Sequence, residues 1–162
     1  MRILAVGDIV ASDGREFIYN NLGRIKKKYN TDYCVVNGEN AANTNGITVD
    51  IANSLLSCGA DVITLGNHTF ANREYAEVLN DMPRVIRPVN YPPETEGSGY
   101  YIDDLGNVRI AVINAIGRVN MDAVDCPFRA TEKVLREIKD KSDIIIIDFH
   151  AETTSEKLAF GN

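Results

Sequence analysis

The sequence predicts a layered α/β domain with a mixed sheet, and three observations carry that prediction. Short apolar runs alternate with longer segments whose apolar residues recur at helical spacing. Several of the apolar runs close with glycine, acidic, asparagine or histidine residues, a pattern that recurs from one run to the next. Two runs flank a turn-forming tetrapeptide, which adds an antiparallel hairpin to strands otherwise joined by helices.

The elements follow in order. Arg2 to Val6 reads as a first buried strand, closing with Gly7-Asp8. A helix is predicted from about Gly14, with Phe17, Ile18, Leu22 and Ile25 on one face. Lys26-Lys27-Lys28 near its end suit the negative pole of the helix and read as a solvated terminus. Tyr33 to Asn37 is a second strand, closing with Gly38-Glu39-Asn40 and followed by a small, polar loop over Ala41 to Gly46. Thr48 to Cys58 predicts a helix stopped by Gly59.

Asp61 to Leu65 is a third strand, and Gly66 is expected to let the chain turn sharply so that Asn67 and His68 leave the sheet end. A short helix over Arg73 to Asp81 and a brief strand over Arg84 to Ile86 come next. The segment Arg87 to Pro93 is too rich in proline to be helical. Tyr100 to Ile102 and Val108 to Asn114 form the hairpin around Asp104-Leu105-Gly106-Asn107. Gly117 to Pro127 reads as an irregular connection, and Thr131 to Lys139 as an amphipathic helix.

Ile144 to Ile147, the most apolar run, is expected to be a central strand and closes with Asp148-Phe149-His150. Thr153 and Glu156 have capping-box spacing and announce one more helix. A strand followed by so short a helix is an odd close for a domain, so these 162 residues read as the front part of something longer.

Bulk properties narrow the function. The length suits a single domain over 1–162, and 44% hydrophobic with 25% charged residues is the balance of a globular protein. A net charge of -6 argues against a nucleic-acid polymer as partner but allows small phosphate substrates, because bound cations can supply positive charge locally. The opening apolar run is too short for a signal peptide, and no stretch is long enough to span a membrane. The three cysteines, Cys34, Cys58 and Cys126, form no C-x-x-C pair and are expected to be buried free thiols, with cytoplasm as the compartment.

The strand ends carry the functional signal. In a parallel sheet Gly7-Asp8, Gly38-Glu39-Asn40, Gly66-Asn67-His68 and Asp148-Phe149-His150 would lie side by side on one edge, where open α/β sheets bind ligands. Both histidines of the chain sit at such ends. Mixed oxygen and imidazole donors suit Mn, Fe or Zn. A carboxylate able to bridge, flanked by ligands on either side, is the layout of a two-metal phosphoesterase site. Arg87, Arg118 and Arg129 lie in predicted loops and are either phosphate contacts or solvated or structural arginines. Rossmann-type nucleotide binding is disfavoured, because only Gly7 and a distant Gly14 follow the first strand.

These motifs resemble the calcineurin-like metallophosphoesterases, and most closely their bacterial YmdB-like branch of 2',3'-cyclic nucleotide phosphodiesterases. Asn37 to Ala42, Gly66-Asn67-His68-Thr69, Arg87 to Pro92, Asp125 to Arg129 and Asp148 to Glu152 carry the resemblance, which extends along essentially the whole chain. It implies two divalent metal ions, Fe or Mn before Zn or Mg. Glu39 would bridge them, with Asp8 and Asn40 completing one side and Asn67 and His150 the other. His68 would stand beside the phosphate as proton donor or charge stabiliser. Asn40 replaces the histidine of the superfamily's Asp-x-His motif, since Ile9-Val10 follows Asp8.

The resemblance also implies a later Gly-x-His-x-His motif, which this sequence lacks. The expectation is therefore that the polypeptide continues, that a second chain or another copy completes the site, or that the protein is a degenerate remnant. The implied substrate is a small phosphodiester. The alternative function is a non-catalytic metal- or nucleotide-binding regulatory protein of the same fold.

Overall fold

Alternation of side chains along the strands sorts this protein into four layers. The computed structural model describes residues 1–162. The chain runs β1 (Ile3–Val6), α1 (Ala11–Tyr29), β2 (Tyr33–Asn37), α2 (Val49–Ser57), β3 (Val62–Thr64), α3 (Tyr75–Asp81) and β4 (Val85–Ile86). It continues with β5 (Tyr100–Asp104), β6 (Arg109–Ile116), α4 (Pro127–Ile138), β7 (Ile144–His150) and α5 (Thr154–Gly161). The first four strands form one all-parallel sheet in sequential order. The last three form a second sheet, with β5 antiparallel and β7 parallel to the middle strand β6.

Successive residues of a strand point to opposite faces, so each sheet serves two cores. Cys34, Val36 and Ile63 face the helices and pack with Ile18, Leu22, Ala52, Leu55, Val78 and Leu79. Tyr33, Val35, Val62 and Ile86 point the other way, onto Ile110 and Val112 of the second sheet. The far face of that sheet buries Ala111 and Ile113 under Val134 and Ile138 of α4. The order of layers is helices, parallel sheet, mixed sheet, helix.

Several expectations need correction. The hairpin does not join the parallel strands; it belongs to the separate sheet that faces them. Within these residues the isoleucine run has a strand on one side alone, since β7 pairs with β6 and is half-buried, with Ile147 36% exposed. Its apolarity reflects coverage on both faces, Ile144 and Ile146 by the parallel sheet and Ile145 by the cluster under α4. The first strand likewise pairs on one side, with residues alternating between exposed and half-buried.

Helix α1 begins at Ala11, not Gly14, because Val10 is extended and Ala11 turns the chain with φ +51 while its N–H bonds the Asn40 carbonyl at 2.9 Å. Phe17 is exposed, so only Ile18 and Leu22 of the predicted stripe are buried. Lys26 is not simply solvated: its Nζ donates to the Gly59 carbonyl and to Asp61 Oδ2 at 2.7 and 2.9 Å. Helix α4 starts at Pro127, which occupies the first turn, where a missing N–H costs nothing.

The capping box at α5 does not form. Thr153 is the N-cap residue, yet its side chain accepts no capping bond. Glu156 instead turns away from the helix start and accepts from the Arg118 N–H at 2.9 and 3.1 Å and the Val119 N–H at 3.2 Å. Burial of that carboxylate against the end of β6 wins over a local cap.

The three thiols are free, but only Cys34 is fully buried; Cys58 and Cys126 are half-buried. Burial pushes the Cys34 thiol up from 9.0 to about 11. The folded state thus holds this proton more tightly than the unfolded chain, so stability falls as pH rises through the range from 9 to 11. In the native protein at mildly alkaline pH, a thiol reagent is expected to label Cys58 and Cys126 well ahead of Cys34. Rapid labelling of all three without unfolding would contradict this burial.

Candidate functional site

The loops that follow β1, β2 and β3 are tied to one another before any side chain is considered. The Ile9 N–H bonds the Asn37 carbonyl at 3.1 Å, and the Gly38 N–H bonds the Thr64 carbonyl at 2.9 Å. These links bring Asp8, Glu39 and the Gly66-Asn67-His68 turn to one rim. The face-to-face packing of the second sheet adds His150 from the end of β7.

Glu39 is the hub. Its side chain is 1% exposed, and its Oε1 lies 3.2 Å from His150 Nε2 and 3.5 Å from His68 Nδ1. Asn40 Nδ2 donates to Glu39 Oε1 at 3.1 Å and to Asp8 Oδ2 at 2.9 Å. The His68 N–H points at the other carboxylate oxygen at 3.4 Å. Burial raises the pKa of Glu39, against the pull of the His150 imidazole and then of the His68 N–H and ring.

Five of the six predicted residues are therefore joined around one carboxylate, Asn40, His68 and His150 at Glu39 directly and Asp8 through Asn40. Asn67 sits half-buried on the same turn and takes no part in these bonds. His68 lies against Glu39, and its buried Nδ1 has no hydrogen-bond partner.

Gly66 is required here for a reason other than the one expected. Its φ is not positive. A Cβ at this position would collide with the Glu39 carboxylate and lie 3.2 Å from His150 Cδ2. The glycine makes room for the hub.

A polar tier lies just beneath the rim. Asn37 Oδ1 accepts from the Glu39 N–H at 3.2 Å, while its Nδ2 donates to Asp148 Oδ2 at 3.2 Å and the Leu65 carbonyl at 3.3 Å. Thr64 Oγ1 donates to the same Asp148 oxygen. Asn114 Nδ2 bonds the carbonyls of Leu65 and Ile86 at 2.8 and 3.1 Å. Sequence reasoning assigns no role to these four side chains. The signal that could have found them is a polar residue near the end of each apolar strand, on the face that the neighbouring apolar residues turn toward the opposite sheet.

The arginine candidates divide. Arg87 is buried and its guanidinium donates to the carbonyls of Pro88, Glu96 and Thr95 at 2.9, 3.0 and 3.2 Å, a structural role. Arg118 is held through its backbone by Glu156, and Arg129 lies on α4 beside a separate cleft.

The donor set suits a divalent cation. Carboxylate oxygens, a carboxamide and imidazole nitrogens surround a desolvated carboxylate, and His68 Nδ1 lacks any protein partner. No three His, Cys, Asp or Glu side chains stand in the arrangement of a ready-made cage, because the donors here hydrogen-bond one another. Holding a cation between Asp8 and Glu39 requires Asn40 to turn its Oδ1, in place of Nδ2, toward them.

Two packed α/β layers with this rim of donors define a calcineurin-like metallophosphoesterase fold. Within that class the chain belongs to the family described as YmdB-like protein, which matches residues 4–162. It is 42% identical over 161 residues to the 2',3'-cyclic-nucleotide 2'-phosphodiesterase of Bacillus subtilis (strain 168), covering 99% of this chain and 61% of that one.

Among solved structures it superposes with a TM-score of 0.89 and 37% identity on a hypothetical protein from Thermus thermophilus, over 99% of this chain and 62% of that one. For a novel phosphatase from Mycoplasma pneumoniae the values are 0.86 and 31%, over 98% and 58%. The chain thus spans about three-fifths of the length of the relatives it matches.

Gly66→Ala is expected to cost about 1–3 kcal/mol of stability in urea unfolding, as an overpacked core does. Adding Glu39→Ala, which empties the contested space, should recover part of that loss. Additive losses would show that the collision with Glu39 is not why glycine stands there.

Proposed function

We propose that the protein is a metal-dependent phosphodiesterase that hydrolyses small phosphodiesters such as 2',3'-cyclic nucleotides at a dinuclear site. The reading takes residues 1–162 as the N-terminal portion of one metallophosphoesterase domain, which a Gly-x-His-x-His segment would complete. The observation that carries it is the buried Glu39 carboxylate, on whose Oε1 Asn40, itself bonded to Asp8, converges with His150 and His68. The Bacillus relative's activity on a cyclic nucleotide and the net charge of -6 support a small substrate in preference to a polymer. No helix is long and apolar enough to cross a membrane, and the proposed compartment is the cytoplasm.

In this reading Asp8, Glu39, Asn40, Asn67 and His150 would hold two divalent ions of the Mn or Fe type, with Glu39 shared between them, Asp8 and Asn40 serving one and Asn67 and His150 the other. When bound, such ions polarise the phosphoryl oxygens and lower the pKa of the attacking water. The chain's own residues do the remaining work. Burial strips water from Glu39, so a bound ion would not compete with solvent for its oxygens. The His68 N–H on Oε2 helps keep the carboxylate in one orientation. His68 has Nδ1 turned toward Glu39, which leaves Nε2 as the atom that meets the phosphodiester. A proton on Nε2 is placed to pass to the leaving oxygen, or to hydrogen-bond the negative charge that develops there.

His68→Ala in the full-length protein is expected to lower kcat by about 10²–10⁴-fold while metal content is retained. Glu39→Gln and His150→Ala should abolish turnover together with Mn content measured by elemental analysis. Full activity in either of the last two would refute the metal assignments. Saturable binding of a cyclic nucleotide with no turnover by the metal-loaded wild type would favour the regulatory alternative.

A further inference from the structure

We propose that Asp148 is a positioning residue that acts through Asn37 to fix Glu39; the proposal rests on the metal-site reading above. Asp148 lies on β7 two residues before His150, so both side chains project toward the parallel sheet. It does not touch Glu39. One of its oxygens, Oδ2, receives two donors from the opposite sheet, Thr64 Oγ1 at the end of β3 and Asn37 Nδ2 at the end of β2.

That acceptance decides which way round the Asn37 carboxamide sits. A primary amide presents two donors on one end and an acceptor on the other. With Nδ2 held by Asp148 Oδ2 at 3.2 Å and the Leu65 carbonyl at 3.3 Å, Oδ1 is left to accept the Glu39 N–H at 3.2 Å. Reversing the amide would set Oδ1 against a carboxylate oxygen and a carbonyl, and an NH₂ against an N–H. All three contacts would become repulsive. The orientation of Asn37, and with it the backbone that carries Glu39, is therefore held jointly by the Leu65 carbonyl, the Glu39 N–H and, from the facing sheet, Asp148.

The same tier fixes the spacing on the other side of the hub. The Leu65 carbonyl receives Asn37 Nδ2 and also Asn114 Nδ2 at 2.8 Å, from the residue that pairs with Asp148 in the β6–β7 register. Leu65 immediately precedes Gly66, whose missing Cβ admits the Glu39 carboxylate. One layer of side chains thus holds both the backbone bearing Glu39 and the turn that Glu39 packs against. Partners that orient a ligand in this manner typically change metal affinity by about 10–100-fold when removed.

The test is Mn²⁺ titration by calorimetry on the full-length protein, with thermal unfolding of the metal-free form as a separate readout of folding. Asp148→Ala and Asn37→Ala are each expected to weaken Mn²⁺ binding about 10–100-fold. The double variant should be no weaker than Asn37→Ala alone, because Asp148 acts through that residue. Asp148→Asn, which keeps an acceptor oxygen but not the charge, should restore most of the affinity.

Additive losses in the double variant, or wild-type affinity in either single variant, would overturn the proposal. So would an Asp148→Asn variant as weak as Asp148→Ala, since charge and not orientation would then be what matters. If Asp148→Ala fails to fold, Thr64→Val replaces it: a several-fold loss by itself and no further loss on top of Asn37→Ala supports the proposal, and any other result overturns it. Glu39→Gln separates the two levels. Loss of Mn²⁺ binding there, with no effect of Asp148→Ala, would overturn this inference alone, whereas retained binding would overturn the site itself.

Discussion

A carboxylate with almost no access to water is the constraint around which the rim of this protein is arranged. Removing an ionisable acid from solvent is unfavourable unless hydrogen bonds or positive charge replace the lost hydration. Around Glu39 that replacement comes from Asn40, the His68 N–H and the His150 imidazole. The arrangement tolerates no side chain at Gly66, and it draws together residues from both sheets.

The two sheets divide the labour by height. Low in the inter-sheet space the contacts are apolar, with Tyr33, Val35 and Val62 against Ile110 and Val112. One step up, the same faces carry Asn37 and Thr64 opposite Asn114 and Asp148, and the contacts become hydrogen bonds with defined directions. Another step brings the donors of the rim. Apolar packing is tolerant of small displacements, whereas hydrogen bonds fix orientation, so the polar tier converts a pair of packed sheets into a site with set angles.

Much of this was legible in the sequence because local rules and tertiary context agreed. The second strand spans Tyr33–Asn37 as predicted, and Thr48 caps the helix that follows it, its side chain accepting the Ile51 N–H at 3.2 Å. The hairpin turn formed where Asp104 and Gly106 allowed it, with the Gly106 N–H bonding Asp104 Oδ1 at 2.8 Å. Errors arose where a distant partner outbid a local one. Glu156 left its expected helix cap for the backbone of Arg118 and Val119, and Lys26 left solvent for Asp61. Pro127 reads locally as the end of a loop, although the first turn of a helix has no N–H to lose.

By itself the sequence determined the strands, the order of helices between them and the chemical identity of the donors at the strand ends, since periodicity and turn chemistry act over a few residues. It also carried the family, through motifs distributed along the whole length. Only the tertiary structure decided that β7 belongs to a second sheet facing the first, that Gly66 is there to admit a carboxylate, and that Asn37, Thr64 and Asp148 meet. Those facts depend on contacts between residues as far as 111 apart in sequence, and a period of two or 3.6 residues carries no information about which face will meet which.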